Sequence, residues 1–398
     1  MNHKKMMKYA AASMAMLAVG CSDGNDVPVP GDKEITFAVT APEAPVLQPM
    51  GRAELTGSNL SRFRCFAFYG NSSDLYIDNA TVGRNTGAGT QGCWWETATQ
   101  YWPKTGGALH FYATAPAEGG YTPVREADGA VKVKGFSVPD VPTTDFVYAS
   151  ARDQWWNTAS GNVHLEFCHA LCAVRVYIEN YSEHYSIGVR SVEFNNLLYK
   201  GDFTMPASGS SKGGDVHSST DGHNMGVWSV VDERRNFTAP AIDSDHWQDG
   251  FQTCGPKAAG SANPTVVSLM TGANTVFMMP QALYLWQPGN PYTGDWRATM
   301  VLSTRITETN YGTDITNDAT GLGHSKIVIP LTPYDGWTWY PNKLYNIYIR
   351  FGNNGDNMGF TTGGSYIGVP ISIKVQTIEN WGTAKSHWIL PMPGNEYE

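Results

Sequence analysis

The chain has 398 residues, with 27 lysines and arginines against 36 aspartates and glutamates, and its formal net charge is −9 at pH 7. This acidic balance, with no basic cluster after Lys8, excludes a protein built to bind nucleic acid. The 42 glycines, 23 prolines and 12% aromatic residues, with only 16% charged residues, are typical of an extracellular β-rich protein. The length allows two or three domains.

The N-terminal segment has the pattern of an export signal. Lysines precede an apolar run over residues 10–19, which is too short to span ~30 Å of hydrocarbon as a helix. Small residues then lead to Cys21, an arrangement that resembles the bacterial lipobox, in which the cysteine carries a diacylglycerol. We expect residues 1–20 to be removed, Cys21 to be the lipid attachment site and residues 21–33 to form a lipidated spacer. An ordinary signal peptide with a chance cysteine is the alternative.

Five further cysteines follow, and an odd number cannot all pair within one chain. A fold of this size does not need disulfides, so buried and inert thiols are expected. Cys65 with Cys93 is the first pair to test. The others are Cys168, Cys172 and Cys254.

The first strand is predicted at residues 34–40. Its Ile35, Phe37 and Val39 alternate with polar or small residues, so we expect one face of the strand to be buried. This face is therefore a candidate part of the N-terminal core.

A long loop is predicted at residues 41–59, where prolines, glycines and polar residues cluster around Arg52 and Ala53. A flexible loop after an N-terminal strand is a natural site for proteolysis. Further strands are predicted at 63–69, 75–82, 93–102, 109–113, 131–138 and 145–149. The regular spacing and the turn residues between them indicate a β-sandwich.

The most apolar run lies at residues 163–177. Its large apolar residues occupy odd positions up to Leu171 and even positions from Val174, which predicts either a bulge or a crossing between sheets. We place a domain boundary just before this run, with one β-sandwich over residues 34–160 and another over 161–398.

The second half repeats the pattern with longer loops. Strands are predicted at 187–197, 226–231, 275–279, 296–306, 325–331, 344–351 and 369–378. Residues 207–221 and 242–263 are predicted to be exposed insertions.

Four residues of the apolar run could suggest zinc: His164, Cys168, His169 and Cys172. On a strand, residues four apart are ~13 Å apart, too far to share one ion. A buried, hydrogen-bonded His169 is the expectation, and we predict no metal.

No recognised catalytic motif occurs. Gly87, Gly89 and Gly92 fit a dinucleotide-binding spacing, but a strand-like run follows them where a helix is required. We therefore predict no cofactor and no enzymatic activity.

Tryptophans come in doublets, and exposed aromatic rings can bind sugars or partner proteins. Trp94, Trp95, Trp155 and Trp156 are the candidates for glycan contact. Neighbours on a strand point to opposite faces, so at least one member of each doublet is expected in the core.

The ordered set of landmarks resembles the fimbrillin family, the subunits of type V pili in Bacteroidetes, and its fimbrillin-like lipoproteins. The matching stretches are the lipobox ending at Cys21, Ile35-Thr36-Phe37, Arg52-Ala53, 63–69, Tyr101-Trp102-Pro103, 109–116, 165–171, Met279-Pro280-Gln281, 339–345 and 375–381. The resemblance covers nearly the whole chain after the signal and implies an all-β fold of two tandem transthyretin-like Greek-key β-sandwich domains.

The same resemblance implies a mechanism of assembly without catalysis. In polymerising members, a protease cuts after an arginine in the loop behind the first strand, and a neighbouring subunit's strand fills the groove that is left. Here Arg52 and Ala53 would flank the cut, and the displaced strand would carry Ile35, Phe37 and Val39. The added strand would supply backbone hydrogen bonds and alternate side chains.

The expected function is that of a fimbrial subunit or accessory adhesin on the cell outer membrane, anchored by lipid and partnered by other pilus subunits, with a host or bacterial glycan or protein as a further ligand. A stand-alone glycan-binding surface lipoprotein is the alternative. Residues 382–398 are short for a donor segment and contain Pro391 and Pro393, which leaves a stalk, tip or anchor position open.

Overall fold

A computed structural model describes fifteen stretches of the chain. They are residues 30–40, 60–85, 92–104, 107–156, 162–206, 226–239, 242–243, 246–271, 274–283, 298–310, 312, 325–331, 337–352, 371–379 and 383–389. The regular elements of these stretches are β-strands, which confirms the all-β prediction. Within them, no helix has the length and apolar character needed to cross a membrane.

The strands follow the chain in this order. The first thirteen are β1 Pro30–Glu34, β2 Thr36–Thr40, β3 Arg62–Tyr69, β4 Leu75–Arg84, β5 Cys93–Trp95, β6 Tyr101–Pro103, β7 Leu109–Ala115, β8 Pro123–Arg125, β9 Val131–Ser137, β10 Val147–Gln154, β11 Asn162–Glu166, β12 Cys168–His169 and β13 Cys172–Asn180. The others are β14 Tyr185–Leu198, β15 Lys200–Thr204, β16 Val227–Val230, β17 Arg234–Thr238, β18 Trp247–Gln248, β19 Phe251–Cys254, β20 Thr265–Met270, β21 Val276–Met278, β22 Gln281–Leu283, β23 Thr299–Glu308, β24 Ser325–Pro330, β25 Trp337–Trp339, β26 Lys343–Phe351, β27 Ile371–Glu379 and β28 Thr383–Ile389.

A six-stranded sheet, ordered β12-β10-β7-β3-β4-β5, is central to the first half. Both of its faces are apolar because strands such as β7 are buried at every position. One face packs against the small sheets β11-β2 and β1-β6, in a core that contains Phe37 and Phe111. The other face carries Phe68, Tyr112 and Tyr148 into a second and larger core.

The second core begins under a four-stranded sheet, ordered β16-β15-β9-β8. Phe203 of β15 meets Tyr148 of the six-stranded sheet with ring centroids 4.6 Å apart. Because β9 and β15 come from opposite sides of residue 160, strands from both predicted halves share this sheet. The division at residue 160 stays a prediction.

Two larger sheets complete the second core. One is ordered β20-β13-β26-β27-β28, with β21 also on β13, and the other is ordered β18-β19-β14-β23-β24, with β17 also on β14. Strand β13 is buried along its whole length and runs parallel to β26. The hairpin β27-β28 extends this sheet, so β28 occupies part of the segment that was considered short for a donor.

The run 163–177 divides into β11, β12 and β13, which lie in three different sheets, so the crossing between sheets, one of the two predicted alternatives, is confirmed. Two other predictions need correction. The predicted strand 93–102 is two strands, β5 and β6, separated by a bend. Residues 242–263 are not simply an exposed insertion, because β19 buries Phe251 and Cys254.

None of the five cysteines in the described stretches forms a disulfide. The suggested pair of Cys65 with Cys93 is therefore wrong. Cys65 lies in the first core and Cys93 is half-buried on β5. The expectation of buried thiols is confirmed for Cys65, Cys168, Cys172 and Cys254.

Candidate functional site

The candidate site is the groove that holds β2, which we call the first-strand groove. Its wall is β11, and its floor is the face of β3, β4 and β7 that meets the first core. Strand β2 runs parallel to β11, from Thr36 opposite Asn162 to Thr40 opposite Glu166. No other described strand shares a ladder with β2, so one backbone edge holds it.

Two side chains of the first strand pack against the floor of the first-strand groove. Ile35 is fully buried and Phe37 is 7% exposed. The Phe37 ring makes edge-on contacts with Phe63, Trp95 and Phe111 at centroid distances of 5.8, 5.3 and 5.9 Å. Such edge-to-face pairs add to the gain from burying the ring.

Val39 is half-buried and packs against the same core. The alternation predicted for Ile35, Phe37 and Val39 therefore matches their burial, and exposed Ala38 points to the other side of β2. This is the pattern of a strand with one face in a groove.

Hydrogen bonds hold the backbone of the first strand at both ends. At its start, the Trp95 indole Nε1 donates to the Ile35 carbonyl at 2.9 Å, and the Ile35 N–H donates to the Gln100 carbonyl at 2.9 Å. At its end, the Phe167 N–H donates to the Thr40 carbonyl at 2.8 Å.

Polar side chains line the exposed face of the β2-β11 pair. The Thr36 hydroxyl donates to Asn162 Oδ1 at 2.5 Å, and Thr40 Oγ1 is 3.0 Å from His164 Nε2. The ring of His164, one of the residues considered as a metal ligand, therefore contacts Thr40 in the β2-β11 pair.

Strand β1 leads into the groove beside Trp102. Glu34 pairs with Tyr101 and Pro30 with Pro103. A Cβ on Gly31 would lie 2.6 Å from the Trp102 carbonyl, so only glycine permits this approach. The chain before β2 is therefore also held by backbone contacts.

The two tryptophan doublets differ in how far their side chains are exposed. On β5, Trp95 faces the groove while Trp94 is 51% exposed and lies over Gly83. That doublet has one inward and one outward ring, as predicted. Trp155 and Trp156 are both exposed, at 38% and 55%, because they follow the end of β10 instead of continuing it. For them the expectation of one core member is wrong.

Of the other suggested metal ligands, Cys168 and His169 lie on β12, and Cys172 begins β13 in a different sheet. Buried His169 places Nδ1 2.7 Å from Asp145 Oδ2, which confirms the expected buried, hydrogen-bonded histidine. Cys172 Sγ is 3.2 Å from the Met278 carbonyl oxygen. Among the described residues, no group of three or more histidine, cysteine or acidic side chains could hold a metal ion.

Three predicted site residues, Cys21, Arg52 and Ala53, lie outside the described residues. Sequence reasoning missed Trp95, Gln100 and Asn162 as partners of the first strand. The apolar alternation in β2 was a signal for its burial, but nothing in the sequence pattern identified which strand would pair with it.

Comparisons with known proteins agree with this architecture. The fimbrillin-like family profile matches residues 61–354, so the chain belongs to the fimbrillin-like family. The match begins beside β3, after both β2 and Arg52. No curated protein matched in the comparison.

Solved structures include a fimbrial protein from Bacteroides vulgatus, with a TM-score of 0.50 and 11% identity over 87% of this chain and 99% of that one. This likeness concerns the fold alone. The fimbrial anchor protein Mfa2 from Porphyromonas gingivalis has 10% identity over 90% of this chain and 100% of that one, with a TM-score of 0.33.

Proposed function

We propose that this chain is a fimbrial subunit whose first strand is replaced by a strand from a neighbouring subunit. In this proposal the chain is exported as a lipoprotein, anchored at the outer membrane through Cys21 and cut after Arg52. Membership of the fimbrillin-like family supports the fimbrial role. The observation that carries the exchange step is that β2 fills an apolar groove and, among the strands that the structure describes, pairs only with β11.

The energetics of β2 are suited to exchange. Burying a large apolar side chain contributes about 1.5–3 kcal/mol, and ordering each residue's backbone costs about 1–2 kcal/mol. Over the six residues 35–40, in which Ile35 and Phe37 are fully or nearly fully buried, the gain from burial is no larger than the cost of ordering the backbone. Covalent attachment makes the seating of β2 intramolecular and so favours it. A cut after Arg52 removes that attachment and leaves a strand that a longer donor can displace.

The groove also defines the donor. A replacement strand needs apolar side chains at three alternate positions, where Ile35, Phe37 and Val39 now lie. It also needs a free backbone edge to pair with β11. Strand β28 is already paired with β27 in its own sheet, so the donor in this proposal is a different segment of the neighbouring subunit.

Controlled proteolysis tests the proposal. The chain from residue 22 onward would be treated with an arginine-specific protease and followed by mass spectrometry and gel electrophoresis. We expect a product that begins at Ala53 and then oligomers in a ladder. Arg52→Ala should abolish both, whereas Arg62→Ala, at an exposed ion pair with Glu96, should abolish neither. Resistance of the parent chain at Arg52, with no oligomers, would exclude the exchange mechanism.

A second candidate function is glycan binding by a stand-alone surface lipoprotein. It is favoured by the exposed rings of Trp94 and Trp156 and by Lys33 Nζ, which lies 5.9 Å from the Trp156 ring centroid. A glycan array would test it with Trp94→Ala and Trp156→Ala, and with Val141→Ala as an exposed apolar control. A blank array, or binding unchanged in both tryptophan variants, would contradict this candidate.

A further inference from the structure

A different feature of the fold, the outer edge of β16, is open and apolar. Val227 is 63% exposed, Val230 is 42% exposed and Val231, the next residue, is 41% exposed. Strand β16 ends the four-stranded sheet, and no described strand pairs with its outer edge. Residues 226–231 carry no charge. Edge strands are usually protected by charges, prolines or bulges, and β16 has none of these.

The register of β16 on β15 determines which backbone groups are available. The Val231 N–H donates to the Lys200 carbonyl at 2.9 Å, and Ser229 lies opposite Asp202. In an antiparallel pair, hydrogen-bonding residues alternate, so residues 227 and 229 direct their backbone groups to β15, as the Val231 N–H does, while the Val231 carbonyl accepts from the Glu233 N–H. The N–H and C=O groups of Trp228 and Val230 therefore point to the open side.

We propose that this edge binds the same edge of a second copy of the chain, antiparallel and about a two-fold axis at Ser229. Trp228 then exchanges two backbone hydrogen bonds with Val230 of the second copy, and the symmetric pair forms two more. Ser229 lies opposite its own copy. Val227 lies opposite Val231 of the second copy, so the exposed valines cover one another.

Charge favours a second copy of β16 as the occupant. Asp202 lies on β15, opposite Ser229 of β16, and Ser229 is at the two-fold axis. The two copies of Asp202 are therefore separated by three strand spacings, or ~14 Å. That distance exceeds the screening length of ~8 Å in physiological salt. Asp232 lies at a bend beyond the end of β16, and its carboxylate is paired with Arg234. The acidic chain thus meets its copy along its uncharged strand.

The pairing joins two four-stranded sheets into one continuous sheet. A single strand on each side buries less than the ~1,200 Å² of a stable interface, so the contact is weak in dilute solution. It becomes effective where copies are held close together, since a high local concentration favours a weak contact. The first-strand groove takes no part in this pairing.

Disulfide trapping tests the register directly. Residues directly opposite on the non-hydrogen-bonded positions of two strands have Cβ atoms ~4.5–5.5 Å apart, close enough for a bridge after small adjustment. In the chain with Cys21→Ser, mild oxidation of Ser229→Cys should give a covalent dimer. Val124→Cys, 45% exposed on the opposite edge of the same sheet, should give at least about tenfold less dimer. Equal dimer in both variants, or none with Ser229→Cys, would overturn the proposal.

Opposite charges placed at positions 227 and 231 test whether these two positions face each other. Self-association would be measured by sedimentation over a concentration series. Val227→Lys and Val231→Glu should each weaken self-association by about tenfold. The double variant should recover it to within about threefold, since each lysine then faces a glutamate of the second copy. Both positions are exposed, so the variants should fold as the parent does. A double variant weaker than either single variant would contradict the register, and a parent chain that stays monomeric throughout would contradict the interface.

Discussion

The indole nitrogen of Trp95 donates a hydrogen bond to the carbonyl oxygen of Ile35 at 2.9 Å. This contact joins β5, the edge of the six-stranded sheet, to the residue that enters β2. The same ring stands 5.3 Å from the Phe37 ring. Trp95 therefore holds both the backbone and the side chains of the first strand, while its neighbour Trp94 faces solvent.

Replacing Trp95 by phenylalanine should loosen the first strand. The variant keeps an aromatic ring but loses the hydrogen bond, a change worth about 1 kcal/mol. After cleavage at Arg52, release of residues up to Arg52 should be about fivefold faster, as followed by gel filtration and mass spectrometry. Trp94→Phe is the matched control and should release the strand at the parent rate. Equal rates for the two variants would show that the Trp95 contact does not hold β2.

Replacing Phe37 by alanine should open the first-strand groove more strongly. Truncating a buried phenylalanine costs about 3 kcal/mol or more. The amide of Phe167, which donates to the Thr40 carbonyl, reports the seating of β2. We expect its hydrogen exchange to be much faster in Phe37→Ala and unchanged in Ala38→Ser, at an exposed position of the same strand. Unchanged protection in Phe37→Ala would mean that the ring does not hold the strand.

The location of β2 in a groove was predictable in part. The alternation of Ile35, Phe37 and Val39 indicates one buried face, because the side chains of a strand alternate between its two faces. The partner was not predictable. Parallel pairing of β2 with β11 joins segments more than a hundred residues apart, and alternation contains no information on which strand supplies the edge.

The crossing at residues 163–177 was predictable as an irregularity but not as three sheets. Its phase change shows that Leu165 and Val174 cannot lie on one face of a regular strand. Whether the chain bulges or crosses depends on tertiary contacts such as the pairing of β12 with β10. The Cys65–Cys93 suggestion failed for a related reason, since cysteine number does not reveal depth or direction in a sheet.

Stability should fall with acid partly through His110. Burial lowers the pKa of this histidine below its ordinary value of 6.5, and nearby Arg152 lowers it further, while Asp153 opposes the shift. The Asp153 N–H donates to His110 Nδ1 at 3.1 Å, which fits the neutral ring. The unfolded chain binds a proton near pH 6.5 and the folded chain only at lower pH, so stability present above pH 6.5 is lost as pH falls below it.

The measurement is the free energy of unfolding in urea at about pH 7.5 and about pH 5. His110→Asn keeps an acceptor for the Asp153 N–H and cannot titrate. We expect the variant to lose less stability than the parent between the two pH values. An equal loss would contradict a lowered pKa of His110 in the folded chain.

The cysteines should differ in reactivity. Burial raises the pKa values of the Cys65 and Cys172 thiols, and raises that of Cys254 to about 12. Because thiolates are the reactive form, these three should resist a thiol reagent in the folded chain. Half-buried Cys93 should react first, and Cys93→Ser should remove that early reaction. Rapid modification of Cys65 without unfolding would contradict the burial of the first core.

The mass of the chain inside isolated fimbriae shows whether β2 is a replaceable strand. We expect subunits that begin at Ala53 and lack Ile35, Phe37 and Val39, with the Arg52→Ala chain absent from the fibres. Polymerised subunits that still contain residues 34–40 would contradict it.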